Sequence, residues 1–322
     1  MRRREFISLL GNAAVFWPVA GSTQARIPVI GFLSSLSADE NAAAFRQGVA
    51  DAGFIDNQTV AFEYRYAEGD YARLPAMANE LVRQNVSVIA ALAPPAARAA
   101  KMATASIPIV FVVGFDPVRI GLVASFNHPG GNATGVCLIT SPLGQKRVEL
   151  ILELAPKARS IIMLVNPTNP DTKTEVEDAQ AAAAANGRRL RTANASTESE
   201  IDSTFTQNAG NDFDALIVDS DPFFVIQREQ ITALAGRYRV PAIYPFRPFP
   251  AANGLMSYGA SLADAYRQAG GYASRMLKGE RPTDLPVVQP TVIELVLNLK
   301  VAKALGITIP ASIQLRADEV IE

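Results

Sequence analysis

Ile107-Pro108-Ile109-Val110-Phe111-Val112-Val113, followed at once by Gly114-Phe115-Asp116-Pro117, is the stretch that decides the architecture. A strand with one face in water alternates apolar and polar residues. This run does not alternate, so both of its faces are buried, as in a parallel sheet covered by helices on either side. Residues 29–33, 86–92, 161–165 and 215–218 read the same way. Between these runs lie amphipathic segments with recognisable ends. Ser37 with Glu40 forms a capping box before a helix over 41–52, and Gly53 stands where that helix stops; Thr172 with Glu175 and Thr197 with Glu200 repeat the start signal. Leu74, Met77, Ala78, Leu81 and Val82 share one helical face and leave Asn79, Glu80 and Arg83 for solvent, the pattern of core packing. The alternation of strand and helix predicts an α/β protein.

The alternation occurs twice. One set of βα units runs from Ile27 to about Ile139 and ends in the turn-rich stretch from Pro129 to Gly135; a second runs from Ser160 to about Tyr258. A helix over 141–156 connects them, a further helix spans 261–277, and 291–299 is a strand candidate. The expected fold is two doubly wound βα lobes with a ligand cleft between them. One lobe takes residues 26–140 plus about 258–285, and the other takes 141–257 plus about 286–322.

The first twenty-five residues have a different character. Arg2, Arg3 and Arg4 precede an apolar stretch over 6–20 that is broken by Ser8, Gly11, Asn12 and Pro18 and leads to Thr23-Gln24-Ala25. That is the layout of a twin-arginine export signal, too short and too interrupted to span a bilayer permanently. The expected location of the mature protein is therefore periplasmic. The whole chain has a net charge of −1, and residues 1–25 hold three Arg and one Glu, so the remainder carries −3. Such a balance does not suit a protein that tracks nucleic acid. Cys137 is the single cysteine and His128 the single histidine, which excludes an intrachain disulfide and a His/Cys zinc site. No cofactor and no metal is expected.

In open α/β sheets, ligands bind beyond the carboxyl ends of the strands. That rule selects Ser34, Ser35, Ala93, Pro94, Phe115 and Asp116 in the first set of units, and Asn166, Asp219, Asp221, Tyr244 and Phe246 in the second. Hydroxyls, amides, carboxylates and rings together suit a small molecule with a polar head and an apolar or aromatic body. A Gly-x-Ser-x-Gly elbow, a phosphate-binding glycine loop opening a helix and a metalloprotease motif are all missing from the sequence, so no catalytic residue is assigned.

Several segments together resemble one known family. Ile107-Pro108-Ile109-Val110-Phe111, Asp116-Pro117-Val118, Gly121-Leu122-Val123 and Pro129-Gly130-Gly131-Asn132-Ala133-Thr134-Gly135 are similar to the ABC-transporter substrate-binding proteins that include tryptophan-binding members. So are Asn166-Pro167, Gly254-Leu255-Met256-Ser257-Tyr258-Gly259, Glu294-Leu295-Val296 and Ala302-Lys303-Ala304-Leu305-Gly306. The resemblance covers essentially the whole mature chain and implies a type I periplasmic-binding-protein fold whose cleft closes on a small molecule. It also implies a non-enzymatic, monomeric receptor that delivers its cargo to an ABC permease and its ATPase. The chain departs from the relatives at Asp219-Ser220-Asp221-Pro222-Phe223, where they carry a Thr-Asp-Asn-like stretch. Two other readings stay open: a sensing module for a membrane receptor, and an exported enzyme with Asp219 or Asp221 as base.

The export reading has a direct consequence. Replacing Arg3 and Arg4 with Lys is expected to strand the precursor in the cytoplasm, as fractionation would show; unhindered export of the variant would point to the general secretory route instead.

Overall fold

A computed structural model describes residues 27–37, 40–138, 140–169, 172–209 and 213–322. The export signal read over residues 1–25 lies outside them. The first sheet is built from β1 (Val29–Ser34), β2 (Ala61–Tyr66), β3 (Val88–Leu92), β4 (Ile109–Val113) and β5 (Ala133–Cys137). All its pairings are parallel, in the order β2-β1-β3-β4-β5. The apolar run over 107–113 becomes β4, buried at every position. Helices α1 (Glu40–Asp51), α2 (Leu74–Arg83) and α3 (Pro94–Ala103) connect its strands. Leu74, Ala78 and Leu81 form the buried face of α2, as their spacing predicts.

The second sheet holds β6 (Ser160–Val165), β7 (Arg189–Asn194), β8 (Ala215–Val218), β9 (Ala242–Tyr244), β10 (Met256–Ala260), β11 (Ile293–Asn298) and β12 (Glu319–Ile321), in the order β12-β11-β10-β9-β8-β6-β7. Only β10 and β11 pair antiparallel. Around it lie α4 (Thr140–Leu154), α5 (Thr172–Ala185), α6 (Glu198–Asn208), the short α7 (Pro222–Ile226), α8 (Arg228–Arg237) and α9 (Pro248–Ala251). Buried residues of α4 and α5 pack on one face and those of α6 and α8 on the other. Both sheets are thus doubly wound, and the fold is the two-lobed α/β architecture of type I periplasmic binding proteins.

After β10 the chain returns to the first sheet. Helix α10 (Leu262–Leu277) packs on α1 in the most extensive contact between any two elements and also touches β3, β4 and β5. The segment behind it adds to the edge of β5, where Val288 N–H donates to Gly135 C=O and Cys137 N–H to Val288 C=O. The chain then crosses to β11, α11 (Leu299–Leu305), α12 (Ala311–Gln314) and β12.

Two local readings need correction. The glycine-rich stretch over 129–135 is not all turn, because Ala133, Thr134 and Gly135 already belong to β5, with Gly135 backed against Phe111 so closely that a Cβ would lie 2.0 Å from its carbonyl oxygen. Thr172 and Glu175 do not form a capping box. Thr172 Oγ1 donates to Asp219, and Glu175 is buried with Arg147. At Thr197 the cap is real, with Oγ1 accepting from Glu200 N–H at 3.3 Å.

The α1–α10 contact depends on two glycines. A Cβ on Gly48 would stand 1.9 Å from Arg267 C=O, and one on Gly270 would stand 2.2 Å from Phe45 C=O. Gly270→Ala is therefore expected to cost about 1–3 kcal/mol through overpacking. Gly271, with no atom within 4 Å of such a Cβ, is the control; Gly271→Ala should gain up to about 1 kcal/mol from helix propensity. Denaturant unfolding of the two variants checks the pair.

Candidate functional site

The carboxyl ends of both sheets converge on a cleft of about 400 Å³ of empty space, its open mouth included. From the first lobe it is lined by Leu36, Ala93, Pro94, Val112, Gly114 and Leu138, with Leu262 and Tyr266 added by α10. The second lobe contributes Ser220, Pro222, Val225 and Phe246. The walls are mostly apolar, and the two rings, Phe246 and Tyr266, come from opposite lobes.

Ala93 shapes the first-lobe wall. It sits at φ +79° and ψ 154°, a conformation that costs any residue with a Cβ, and it is held there by Ala93 N–H donating to Val112 C=O at 2.8 Å. This bend starts α3 with Pro94 at the cleft. Because Pro94 and Pro95 lack N–H groups, the first turn of α3 is an apolar surface rather than an anion seat.

Of the residues selected from the sequence, Ala93, Pro94 and Phe246 line the cleft. Ser35 is fully buried at the end of β1, and its Oγ has no protein partner. Ser34 Oγ accepts from Leu36 N–H at 3.0 Å. Phe115 is buried beneath the rim, where its C=O accepts from Cys137 Sγ. Asp116 caps its own turn by accepting from Val118 and Arg119 N–H. Tyr244 is core, stacked on Phe249 with ring centroids 4.7 Å apart and its hydroxyl unpartnered.

The aspartates of the second lobe are bound up in polar networks. Asp221 accepts from Tyr71 Oη at 2.7 Å, Asn166 Nδ2 at 3.0 Å, Asn169 Nδ2 at 2.8 Å and Phe223 N–H at 2.9 Å. Burial raises its pKa, and these four donors pull it partly back. Tyr71 belongs to a single 3-10 turn over Tyr71–Arg73 that follows β2, so this contact joins the two lobes. Its phenol is held well above the ordinary range by burial and then by the Asp221 charge.

Behind Ser220 lies a buried charge cluster. Arg147 of α4 has no exposed side-chain surface; its guanidinium pairs with Glu175 of α5 and donates to Tyr258 C=O at 3.2 Å. Ser220 Oγ donates to Glu175 at 3.1 Å. Asp219 accepts from Thr172 Oγ1 at 2.8 Å and from Ser220 N–H at 2.7 Å. Burial, followed by the charge of Glu175, pushes the Asp219 carboxyl well above the usual carboxylate range. Sequence reasoning missed this cluster because Thr172-x-x-Glu175 reads as a capping box, whereas Thr172 does begin α5 but both side chains turn to other partners. It also missed Leu262 and Tyr266, the first and fifth residues of α10 after the Ser261 cap.

The family model for ABC transporter substrate-binding proteins matches residues 26–321. The chain belongs to that family. A tyrosine-binding protein of Clostridioides difficile is 28% identical over 269 residues, covering 84% of this chain and 77% of the relative. Among solved structures, the ABC domain from Streptococcus pneumonia in complex with L-Trp superposes with a TM-score of 0.84 at 29% identity, over 91% of this chain and 99% of that one. The ligand-free, open structure of a substrate-binding protein with adhesive properties from Clostridium difficile gives 0.65 at 25% identity, over 92% and 99%. Among the described residues of this substrate-binding protein, no group of His, Cys, Asp and Glu could hold a metal, and no helix is long and apolar enough to cross a membrane.

The buried cluster sets two expectations. Arg147→Met should destabilise the protein by about 3–5 kcal/mol, because it strands a buried carboxylate, and adding Glu175→Leu should recover most of the loss. A carboxyl whose folded pKa is raised stabilises the fold at low pH and loses that contribution as pH rises through the raised value. Wild-type stability should therefore fall relative to the Asp219→Asn variant as pH rises from about 4 towards neutrality. Chemical denaturation across pH tests this, and a constant difference would place no titration at Asp219.

Proposed function

We propose that this protein is the exported solute receptor of an ABC importer, and that it captures a small aromatic, amino-acid-like molecule by closing its two lobes. Residues 26–140 with about 258–285 act as one lobe and 141–257 with about 286–322 as the other. The observation that carries the reading is the cleft itself, walled by both lobes at their strand carboxyl ends, with Phe246 on one side and Tyr266 on the other. Those rings suit an aromatic body between them. Ser220 and Tyr266 are the hydroxyl-bearing residues on the cleft wall that could meet its polar groups.

The relatives support the same class, since one is a tyrosine-binding protein and another was solved with L-Trp. The better superposition on the L-Trp complex than on an open, ligand-free relative agrees with a shut arrangement of the lobes. A catalytic reading has less to work with. Both oxygens of Asp221 already accept from protein donors, and Asp219 is fully buried and bonded to Thr172 and Ser220. Delivery to a membrane permease, and location in the periplasm, follow from the role.

The test is to purify the mature protein, release any co-purified molecule by denaturation for mass spectrometry, and titrate the refolded protein with L-tyrosine and L-tryptophan by calorimetry. Phe246→Ala should weaken binding of the identified solute by about ten- to a hundredfold, the worth of one lost ring contact. Wild-type affinity in that variant would move the binding site elsewhere.

A further inference from the structure

One polar contact between the lobes is prebuilt on both sides. In the first lobe, the turn that carries Tyr71 is fastened to the end of β1: Ala67 N–H donates to Ser34 C=O and Gly69 N–H to Ser35 C=O, each at 2.9 Å. Glu68 at φ +55° and Gly69 at φ +85° reverse the chain, and Asp70 caps the turn by accepting from Ala72 N–H. In the second lobe, Asp221 is fixed by the amides of Asn166 and Asn169 before Tyr71 contributes anything. Tyr71 Oη then donates to Asp221 Oδ1 at 2.7 Å and accepts from Phe223 N–H at 3.2 Å. Gly69 brings the same turn against α7, where even a Cβ would meet the Phe223 ring at 3.4 Å. Neither Tyr71 nor Asp221 is among the cleft-lining residues, so every bond in this set is protein to protein.

We propose that Tyr71 is an inter-lobe latch: its hydroxyl, seated on Asp221 and the Phe223 amide, stabilises the shut arrangement of the lobes independently of what occupies the cleft. The inference rests on the closing-receptor reading. Because both halves are already ordered, joining them costs little conformational freedom, and a hydrogen bond to a charged, buried carboxylate is among the stronger kinds. The shut form is then a populated state of the unloaded receptor. Losing the phenolic hydroxyl alone should shift the balance towards open by about tenfold, while Asp221 keeps its three second-lobe donors and the fold stays intact.

Small-angle scattering of the mature protein, stripped of solute by extensive dialysis, tests the latch without needing the ligand. Wild type should be compact, and Tyr71→Phe should show a larger radius of gyration at unchanged circular dichroism. Gly69→Asn, which keeps a residue tolerant of positive φ but sets an amide against Phe223, should open the protein in the same way. Identical scattering from wild type and Tyr71→Phe, whether both compact or both extended, overturns the proposal. Failure of the solute-receptor reading would instead appear as no bound small molecule in the mass-spectrometric assay, with the scattering unaffected.

Discussion

The organisation of the molecule depends on how closely α10 can approach α1. Helix α10 follows the second sheet in sequence yet belongs to the first in space, and it is held there at a distance only hydrogen atoms fit, with Gly48 and Gly270 facing the backbone of the opposite helix. Placing it there carries the chain back across the cleft, sets Leu262 and Tyr266 on the cleft wall, and lets Val288 extend the edge of β5. A chain that merely joined two βα domains end to end would cross once and leave β3, β4 and β5 without the cover that α10 gives them beside α1.

The polar groups of the second lobe show a division of labour that follows from dielectric. Arg147, Glu175, Asp219 and Asp221 all lie out of water, where an uncompensated charge is costly. Each has its partners inside the protein: Arg147 has Glu175, Asp219 has Thr172 Oγ1 and Ser220 N–H, and Asp221 has four donors. What faces the cleft is the outer edge of this network, Ser220 and Pro222, alongside apolar walls. Such a surface offers shape and ring contacts more than ion pairing.

Much of the fold could be read from the chain because burial on both faces leaves its mark as unbroken apolar runs. The stretches over 29–33, 107–113 and 161–165 became β1, β4 and β6. Strands at sheet edges were harder to see: Arg189, Arg191 and Thr192 of β7 are exposed and carry no such mark, and β2 is only partly buried along its length. The cleft was located by topology alone, since strand ends can be found without knowing partners. Which side chains reach it could not be read that way. Asp221 and Tyr244 stand at strand ends as expected but turn into protein, one meeting Tyr71 from 150 positions away and the other Phe249. Periodicity reports whether a residue is buried; it does not report what it is buried against.

Two of the links between the lobes are not separate cords. The stretch leaving β10 and the stretch entering β11 run antiparallel and are laddered together, Ala260 opposite Ile293, with Ser261 N–H donating to Val292 C=O at 3.0 Å. A two-stranded ribbon flexes out of its own plane far more readily than it shears within it, since shear would break the ladder bonds one after another. A swing of one lobe against the other would thereby be steered about a single axis, much as a strip hinge guides a lid, and would return the two rims of the cleft to the same register each time.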